Sequence, residues 1–193
     1  MTVRWRALGG ALAALALAGC AAITPVPAGP LALGDNHSVT LNRMWSDVSN
    51  VLPGKSAKVK VLSIDGPLLN RVYVVQGLAP GEGLLKAAAK EHPVPTFHPD
   101  MSATEMVEFV ADSVTAAGYQ RVETSKLRPA KFGGAGAVRF DIAAKTATGL
   151  EMLGSAEVAA TGGKLYLVLY LAPAEHYYAT TLPDVEAIMN SAT

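Results

Sequence analysis

The sequence predicts an α+β fold, in which helices pack on a mostly antiparallel sheet to form an α/β/α sandwich. Three observations predict it. Between residues 136 and 172, apolar residues alternate along three strands that two short turns bring side by side. The last strand, around 165–171, is apolar on both faces and therefore needs cover above and below. One helical pattern precedes these strands and another follows them, which supplies the two layers.

Two turns fix how the three strands pair. The loop ending in Gly149 and the two-residue turn Gly162-Gly163 are typical hairpin connections. The resulting register sets small residues opposite large ones on one face, and a slip of one residue would send every apolar side chain to the wrong face. On the opposite face it pairs opposite charges, each pair being worth a few tenths of a kcal/mol. These pairs are Arg139 with Glu157 and Lys145 with Glu151.

The other elements are predicted from local signals. Ser102 and Glu105 form a capping box that begins a helix, and Gly118 suits its end. Alternation on both sides of Asp65-Gly66 indicates a hairpin. Pro183, just after a capping Thr181, is typical of a first helical turn. The predicted elements are a short strand around 39–45, a hairpin over 57–76, a helix over 84–91, a helix from Ser102 to about Gly118, and a helix over 182–191.

This order of elements resembles that of the PsbP-like α/β/α sandwiches, whose sheets also end in a helix that follows an aromatic-rich strand. The resemblance covers about 90 residues of element order and has no diagnostic motif. It therefore implies a fold and implies little about function.

The first two dozen residues have the layout of a signal peptide. Arg4 and Arg6 precede an uncharged stretch from 7 to 23 that is rich in Leu, Ala and Gly. An uncleaved membrane anchor is the alternative, because 17 apolar residues are at the lower limit for crossing about 30 Å of hydrocarbon. The Ala and Gly residues of this stretch would make it a poor membrane anchor, which disfavours this alternative.

The end of this stretch, Leu17-Ala18-Gly19-Cys20, resembles the lipobox of bacterial lipoprotein precursors at all four positions. The resemblance implies that residues 1–19 are removed, that Cys20 carries a diacylglycerol, and that a palmitate-like chain acylates the new amine. Ala21 stands where Asp would mark retention in the inner membrane. The resemblance therefore implies an outer-membrane lipoprotein that faces the periplasm.

The segment 20–35 follows, and it contains Pro25, Pro27 and Pro30. Because proline prevents regular helix and favours extended backbone, we predict an acylated N-terminus and a tether that holds the domain up to about 45 Å from the bilayer. Residues 36–193 are then predicted to form a single globular α+β domain.

The composition excludes several classes of function. The sequence has 16 basic and 16 acidic residues, which excludes the basic footprint of a nucleic-acid binder. The one cysteine excludes an internal disulfide framework, and its use for lipid leaves no cysteine nucleophile. Membrane attachment therefore depends on the acyl chains, since the mature chain has no polybasic patch.

Recognisable catalytic and metal motifs are also missing from the sequence. The four histidines, at 37, 92, 98 and 176, have no paired metal-ligand spacing, although His92, His98 and Asp100 share one proline-rich loop. The glycine-rich stretch 132–136 precedes a strand instead of a helix, so we interpret it as an entry to the strand and not as a phosphate loop. No catalytic residues, metal ligands or cofactor are predicted.

One tentative ligand pocket is predicted near the aromatic end of the sheet. Tyr166 and Tyr170 share one face of the last strand, His176 follows that strand, and the register places Arg139 nearby. Ordinary packing of a helix on the sheet is the alternative, since aromatic clusters under helices usually belong to the core.

Three functions remain open from the sequence. The first is a non-catalytic envelope lipoprotein that binds a protein partner or supports an assembly. The second is a carrier or sensor of a small apolar or amphipathic ligand in the tentative pocket. The third is a hydrolase, which is the least favoured because no set of acid, base and nucleophile can be assembled. The specific partner, the pathway and the oligomeric state do not follow from the sequence.

Overall fold

The structure, a computed structural model, describes residues 23–86 and 94–193. Within these residues the chain forms ten strands, one 3-10 turn and two α-helices. In chain order they are β1 (Thr24–Val26), β2 (Gly29–Gly34), β3 (His37–Leu41), β4 (Trp45–Asp47), the 3-10 turn Ser49–Val51, β5 (Val59–Ser63), β6 (Arg71–Leu78), α1 (Ala103–Ala116), β7 (Gln120–Phe132), β8 (Ala135–Lys145), β9 (Glu151–Thr161), β10 (Lys164–Pro173) and α2 (Tyr177–Asn190).

Eight of these strands form one sheet in the order β1-β4-β5-β6-β10-β9-β8-β7, with every neighbouring pair antiparallel. The α+β class and the layered architecture predicted from the sequence are thus confirmed. β10 lies inside the sheet, and its residues are buried on both faces as predicted. The predicted register of β8, β9 and β10 is also confirmed, because Phe140 pairs with Ala156 and Leu167 pairs with Val158.

One face of the sheet, here called the α1 face, packs against α1. The helix begins at the predicted capping box, where the Ser102 hydroxyl accepts from the Glu105 backbone N–H and the Glu105 carboxylate accepts from the Ser102 N–H at 2.7 Å. Its apolar stripe, which includes Phe109 and Val110, is buried in the core of this face, where the helix contacts β7, β8 and β9. The helix is followed by Gly118, which adopts a φ of +96°.

The opposite face, here called the α2 face, is covered by two elements. α2 packs on one part of it, and the hairpin β2–β3 packs on the other. Trp45, Tyr166, Tyr170 and Phe132 are each almost completely buried in this layer. The sequence predicted the helix on this face but not the hairpin.

The prediction of a tether at 20–35 is wrong for the residues that the structure describes. β1 pairs with β4, with Thr24 opposite Asp47, and β2 pairs with β3 over residues 29–34. The prolines are compatible with these positions because β1 is an edge strand, where a missing N–H leaves no gap inside the ladder. The globular domain therefore begins at β1 instead of at residue 36. The earlier residues, including Cys20, lie outside the described residues.

Two other local predictions need correction. The stretch 39–45 does not form one short strand, because β3 and β4 belong to different sheets. In the predicted helix over 84–91, Leu85 instead makes an isolated β-bridge with Lys55. The rest of that predicted helix, from residue 87, lies outside the described residues.

The C-terminal helix starts earlier than the predicted residue 182. α2 begins at Tyr177, so Pro183 lies inside the helix instead of in its first turn. Burial of Thr181 and Val185 against the sheet holds the segment in place although Pro183 has no N–H to donate to the preceding turn. No helix among residues 23–86 and 94–193 is long and apolar enough to cross a membrane.

Candidate functional site

Tyr166, from the tentative pocket, is buried under the hairpin β2–β3. Its hydroxyl donates to the Asp35 carboxylate at 2.9 Å, and its ring packs on those of Phe132 and His37. The Lys164 ammonium bonds the same carboxylate, and with Tyr166 it holds the pKa of Asp35 below its usual value. Burial raises the pKa of Tyr166 to about 12, so its hydroxyl stays protonated at neutral pH.

Tyr170 lies on the same face of β10 but under α2. Its hydroxyl donates to the Tyr177 carbonyl at 2.9 Å, and its ring stacks on Tyr178 with 5.5 Å between centroids. His176 immediately precedes α2 with a φ of +65°, and its ring meets the edge of Tyr177. Both tyrosines of the tentative pocket therefore have partners within the core.

Arg139 is bound by Glu157, as the register predicted. Arg139 Nε donates to Glu157 Oε2 at 2.8 Å, and the guanidinium also donates to the side chain of Asn190 on α2. The Glu157 side chain of this pair is 0% exposed. Burial raises the pKa of Glu157, and the Arg139 guanidinium opposes this rise. The pair therefore fastens α2 to the sheet.

Tyr166, Tyr170, His176 and Arg139 share the α2 face or its border, but neither of the two cavities described below is lined by any of them. The structure thus places these residues in the packing of a helix and a hairpin on the sheet, which was the alternative, and the tentative pocket stays a prediction.

The larger cavity lies on the α1 face and has a volume of about 630 Å³. Its floor is formed by odd-numbered residues of β6 and β10, and one wall is the C-terminal end of α1. The 52–55 segment and residues 84–86 form the opposite wall, joined by hydrogen bonds from Ser56 N to the Leu84 carbonyl and from Lys86 N to the Gly54 carbonyl. The apolar lining includes Leu52, Val59, Val75, Leu84, Val114, Leu169 and Leu171.

The polar lining of this cavity is small and basic. Arg71 and Tyr73 point into it from β6, Tyr119 lies at its wall after α1, and Lys55 and Lys86 line it from the opposite side. None of the described lining residues is Asp, Glu, His or Cys. This set of groups can bind and orient a ligand, but it offers no general base beside a nucleophile.

Two tyrosines, Tyr73 and Tyr119, line the cavity. Burial raises the pKa of Tyr73 to about 12, although the neighbouring Arg71 opposes the shift. The Arg71 guanidinium donates to the Tyr73 hydroxyl at 3.3 Å. The Tyr119 hydroxyl is buried and has no hydrogen-bond partner in the described part of the chain.

The sequence reasoning missed Arg71 and Tyr73 as site residues, although a signal was present. In Arg71-Val72-Tyr73-Val74-Val75 the alternate residues Val72 and Val74 are apolar, so the strand can be buried on both faces. A charged residue on the core face of such a strand needs a polar partner. No signal in the sequence marks Tyr119 as a site residue, because its position at the cavity depends on where α1 ends.

The second cavity, of about 480 Å³, lies beside the first half of α1 and includes His98, Asp100, Glu105, Glu108 and Asp112. These groups do not converge, since no set of three or more metal-ligating side chains occurs among residues 23–86 and 94–193. His92, which the sequence placed in the same loop, lies outside the described residues.

Fold and site together define a class: an α/β/α sandwich with an eight-stranded antiparallel sheet and a largely apolar cavity beside the C-terminal end of its first helix. No family model matches the sequence, and no curated protein matches it. Solved structures share the fold, and two of them cover most of this chain with TM-scores above 0.5. The chain resembles cyanobacterial PsbP (CyanoP) from Synechocystis sp. PCC 6803 at 16% identity and a TM-score of 0.53, over 95% of this chain and 99% of that one.

The second neighbour is the Ran-binding protein Mog1p of Saccharomyces cerevisiae. It matches at 10% identity and a TM-score of 0.51, over 89% of this chain and 96% of that chain. At such low identity these neighbours establish the fold alone. They agree with the resemblance to PsbP-like sandwiches that the element order indicated.

Proposed function

We propose that this protein is a non-catalytic cell-envelope lipoprotein, anchored by lipid at Cys20, whose domain binds a small apolar or amphipathic molecule in the cavity of the α1 face. The cavity is the observation that carries the proposal. Its volume of about 630 Å³ lies within the roughly 300–1,000 Å³ of small-molecule sites, and its lining is mostly apolar with a few polar groups.

The anchor rests on the lipobox-like residues Leu17 to Cys20, and Ala21 favours the outer membrane on its periplasmic side. β1 changes the expected geometry of this anchor. Four residue steps separate Cys20 from Thr24, which is already paired in the sheet, so the link spans at most about 14 Å. The domain would therefore lie beside the bilayer instead of about 45 Å away, and a membrane-derived molecule would have a short path to it.

A protein partner is the second candidate role. The fold neighbour Mog1p is named as Ran-binding, so this fold is compatible with capture of a protein. In the described chain, Met44 and Leu68 are apolar, exposed and located at the same end of the sheet, beside β4 and in the β5–β6 loop. These two side chains are a small patch compared with the cavity, so the small-molecule role has the better support.

The anchor is tested by metabolic labelling with a radioactive fatty acid. Because Cys20 is the only cysteine, Cys20→Ala is expected to remove the label completely and to release the protein from membranes. Cys20→Ser is the matched conservative variant, and it should also be unlabelled because a thiol is required. Undiminished labelling of either variant would contradict the anchor.

The cavity is tested by titrating the mature chain without its lipid, residues 21–193, with the fluorescent probe N-phenyl-1-naphthylamine. These residues retain every described strand. Ala117→Trp places an indole at the exposed rim of the cavity and is expected to weaken probe binding at least about tenfold, since the ring takes up the space that the probe needs. Thr104→Trp, exposed at the other end of α1, is the control. Equal binding by both variants would place the probe elsewhere.

A further inference from the structure

Arg71 is an unusual arginine in this structure. It is partly buried at the start of β6, on the face of the strand that forms the floor of the cavity. Its polar contact in the described chain is the Tyr73 hydroxyl at 3.3 Å, and no carboxylate of residues 23–86 or 94–193 pairs with it. A guanidinium remains charged at any physiological pH.

Other arginines of the described chain show what Arg71 lacks. Arg139 is paired with Glu157, and Arg128 is paired with Asp141 at 3.1 Å. Even Arg43, which is 55% exposed, reaches the Asp184 carboxylate at 3.4 Å. A charge removed from water costs free energy unless an opposite charge is nearby. Arg71 faces a largely apolar cavity without a carboxylate partner among the described residues, so an anionic ligand bound there would stabilise its charge.

Tyr119 provides a second, independent observation at the same place. It is only 8% exposed, it lines the cavity, and its hydroxyl has no hydrogen-bond partner among the described residues. Burying a hydroxyl without a partner costs free energy, which a bound acceptor would recover. The Tyr119 hydroxyl, which has no partner, and the Arg71 guanidinium, which has no counter-charge in the described chain, thus line one cavity.

The rest of the lining has the form of a slot for an alkyl chain. From Arg71 to Val75 the cavity floor follows β6 for about 13 Å. Along this distance the neighbouring side chains are apolar, among them Val59, Leu169 and Leu171. Lys55 and Lys86 add positive charge at the opposite wall, where no carboxylate balances them within the lining.

We propose that the ligand is a single-chain amphiphile with an oxyanion head, either a carboxylate or a phosphate monoester. This proposal rests on the cavity-binding function proposed above. Its head accepts hydrogen bonds from the Arg71 guanidinium and the Tyr119 hydroxyl, and its chain lies along β6 toward Val75. The Tyr73 hydroxyl, held by Arg71, orients the guanidinium.

The test is calorimetric titration of residues 21–193 with three twelve-carbon probes: dodecanoate, dodecyl phosphate and dodecan-1-ol. The measurements are made at about pH 8 and below micelle-forming concentrations. At least one of the two anions is expected to bind at least about tenfold more tightly than the alcohol, since charge-assisted hydrogen bonds contribute more than neutral ones. The tighter of the two anions identifies the head group.

Arg71→Met is expected to weaken the binding of the preferred anion by about tenfold to a hundredfold and to leave dodecan-1-ol unchanged. Arg71→Lys should retain part of the preference because it keeps the charge but loses the planar fork. Arg43→Met, which removes an exposed arginine outside the cavity lining, is the matched control. If Arg71→Met fails to fold, Tyr119→Phe replaces it and should weaken anion binding several-fold.

The possible outcomes separate this inference from the function on which it rests. If the alcohol binds as tightly as both anions and Arg71→Met changes nothing, the head-group inference is overturned while the cavity remains a binding site. If none of the three probes binds, the cavity-binding function itself fails. A preference for a cationic dodecyl probe, dodecyltrimethylammonium, would also overturn the inference.

Discussion

The two faces of the sheet are built from the same strands but are covered differently. On the α2 face, a helix and a hairpin cover the sheet, and aromatic side chains such as Tyr166 and Tyr170 fill the space between. On the α1 face, one helix covers the β8–β9 side, and beyond its C-terminal end the floor of β6 and β10 lies open in a cavity of about 630 Å³.

The tyrosine and arginine side chains of the two faces differ in their partners, although Trp45 Nε1, Ser155 Oγ and Glu157 Oε1 on the α2 face also have no hydrogen-bond partner in the described chain. Under α2 and the hairpin, the tyrosine hydroxyls and Arg139 find partners inside the protein. On the other face Arg71 has only a tyrosine and Tyr119 has none in the described chain. Both faces contribute a buried core, and the α1 face differs in leaving a cavity beside the end of its helix, where the function proposed above places a ligand.

The largest expected effect on stability is at the α2 face. Tyr170→Ala would leave a large cavity under α2 and remove the hydrogen bond to the Tyr177 carbonyl. We therefore expect it to reduce the free energy of unfolding by about 3–5 kcal/mol. Leu171→Ala, the next residue along β10, faces the cavity and should cost only about 2 kcal/mol, because it enlarges a space that is already open. Urea unfolding measures both. Equal losses would contradict the difference between the two faces.

The second prediction concerns the buried ion pair under α2. Arg139→Met leaves Glu157 without its counter-charge, and we expect a loss of about 3 kcal/mol at neutral pH. Lys145→Met breaks the other pair that the register predicted, but its partner Glu151 is exposed, so no measurable loss is expected. Adding Glu157→Leu to Arg139→Met should recover most of the stability.

The same pair gives a pH dependence of definite sign. Because burial raises the folded-state pKa of Glu157, its contribution to stability is complete below the unfolded pKa and is lost as pH rises through the folded pKa. In Arg139→Met the opposing charge is gone, so the pKa rises further. The cost of Arg139→Met should therefore be smaller near about pH 4.5 than near about pH 8. A cost independent of pH would show that the pair is not electrostatic in origin.

The smallest effect is expected at the start of α1, away from the cavity. Ser102→Ala removes the cap and should cost about 1 kcal/mol, while ligand binding stays unchanged because the cavity lies at the other end of the helix. Bonds from the Ser102 backbone and side chain hold the pKa of Glu105 below its usual value, so its contribution is present above the unfolded pKa and is lost as pH falls through the folded pKa. Ser102→Ala should weaken this acid-side dependence without abolishing it, because the backbone N–H at position 102, the larger cause, remains. Weaker binding by the variant would link the cap to the cavity.

The parts of the fold that could be predicted from sequence are those that are specified by residues close together in the chain. The β8–β10 register was predictable because two short turns and the apolar alternation agree, and the start of α1 was predictable because Ser102 and Glu105 are close in the sequence. The tether was wrong because proline signals extended backbone, and an edge strand is extended backbone too. The pairing of β1 with β4 spans about twenty residues and has no local signature.

The site was harder to predict than the fold. Aromatic residues on β10 drew attention to Tyr166 and Tyr170, yet tyrosines are as useful in a core as in a pocket. The cavity lies between the end of α1 and the strand β6. Its presence depends on the length of the helix and on how the helix crosses the sheet, and no single stretch of sequence specifies these. What the sequence did contain was Arg71 in a strand whose other residues are mostly apolar, and a charge in such a strand is a sign of a buried site.

The two outer strands of the sheet each contain a proline, Pro25 in β1 and Pro129 in β7. β7 also has register shifts near Arg121 and Lys126, which both adopt positive φ. Missing donors and irregular edges discourage a further strand from pairing there. Copies of this protein crowded at a surface would therefore resist joining edge to edge into a continuous sheet, and any ordered assembly would have to use loops or helices instead.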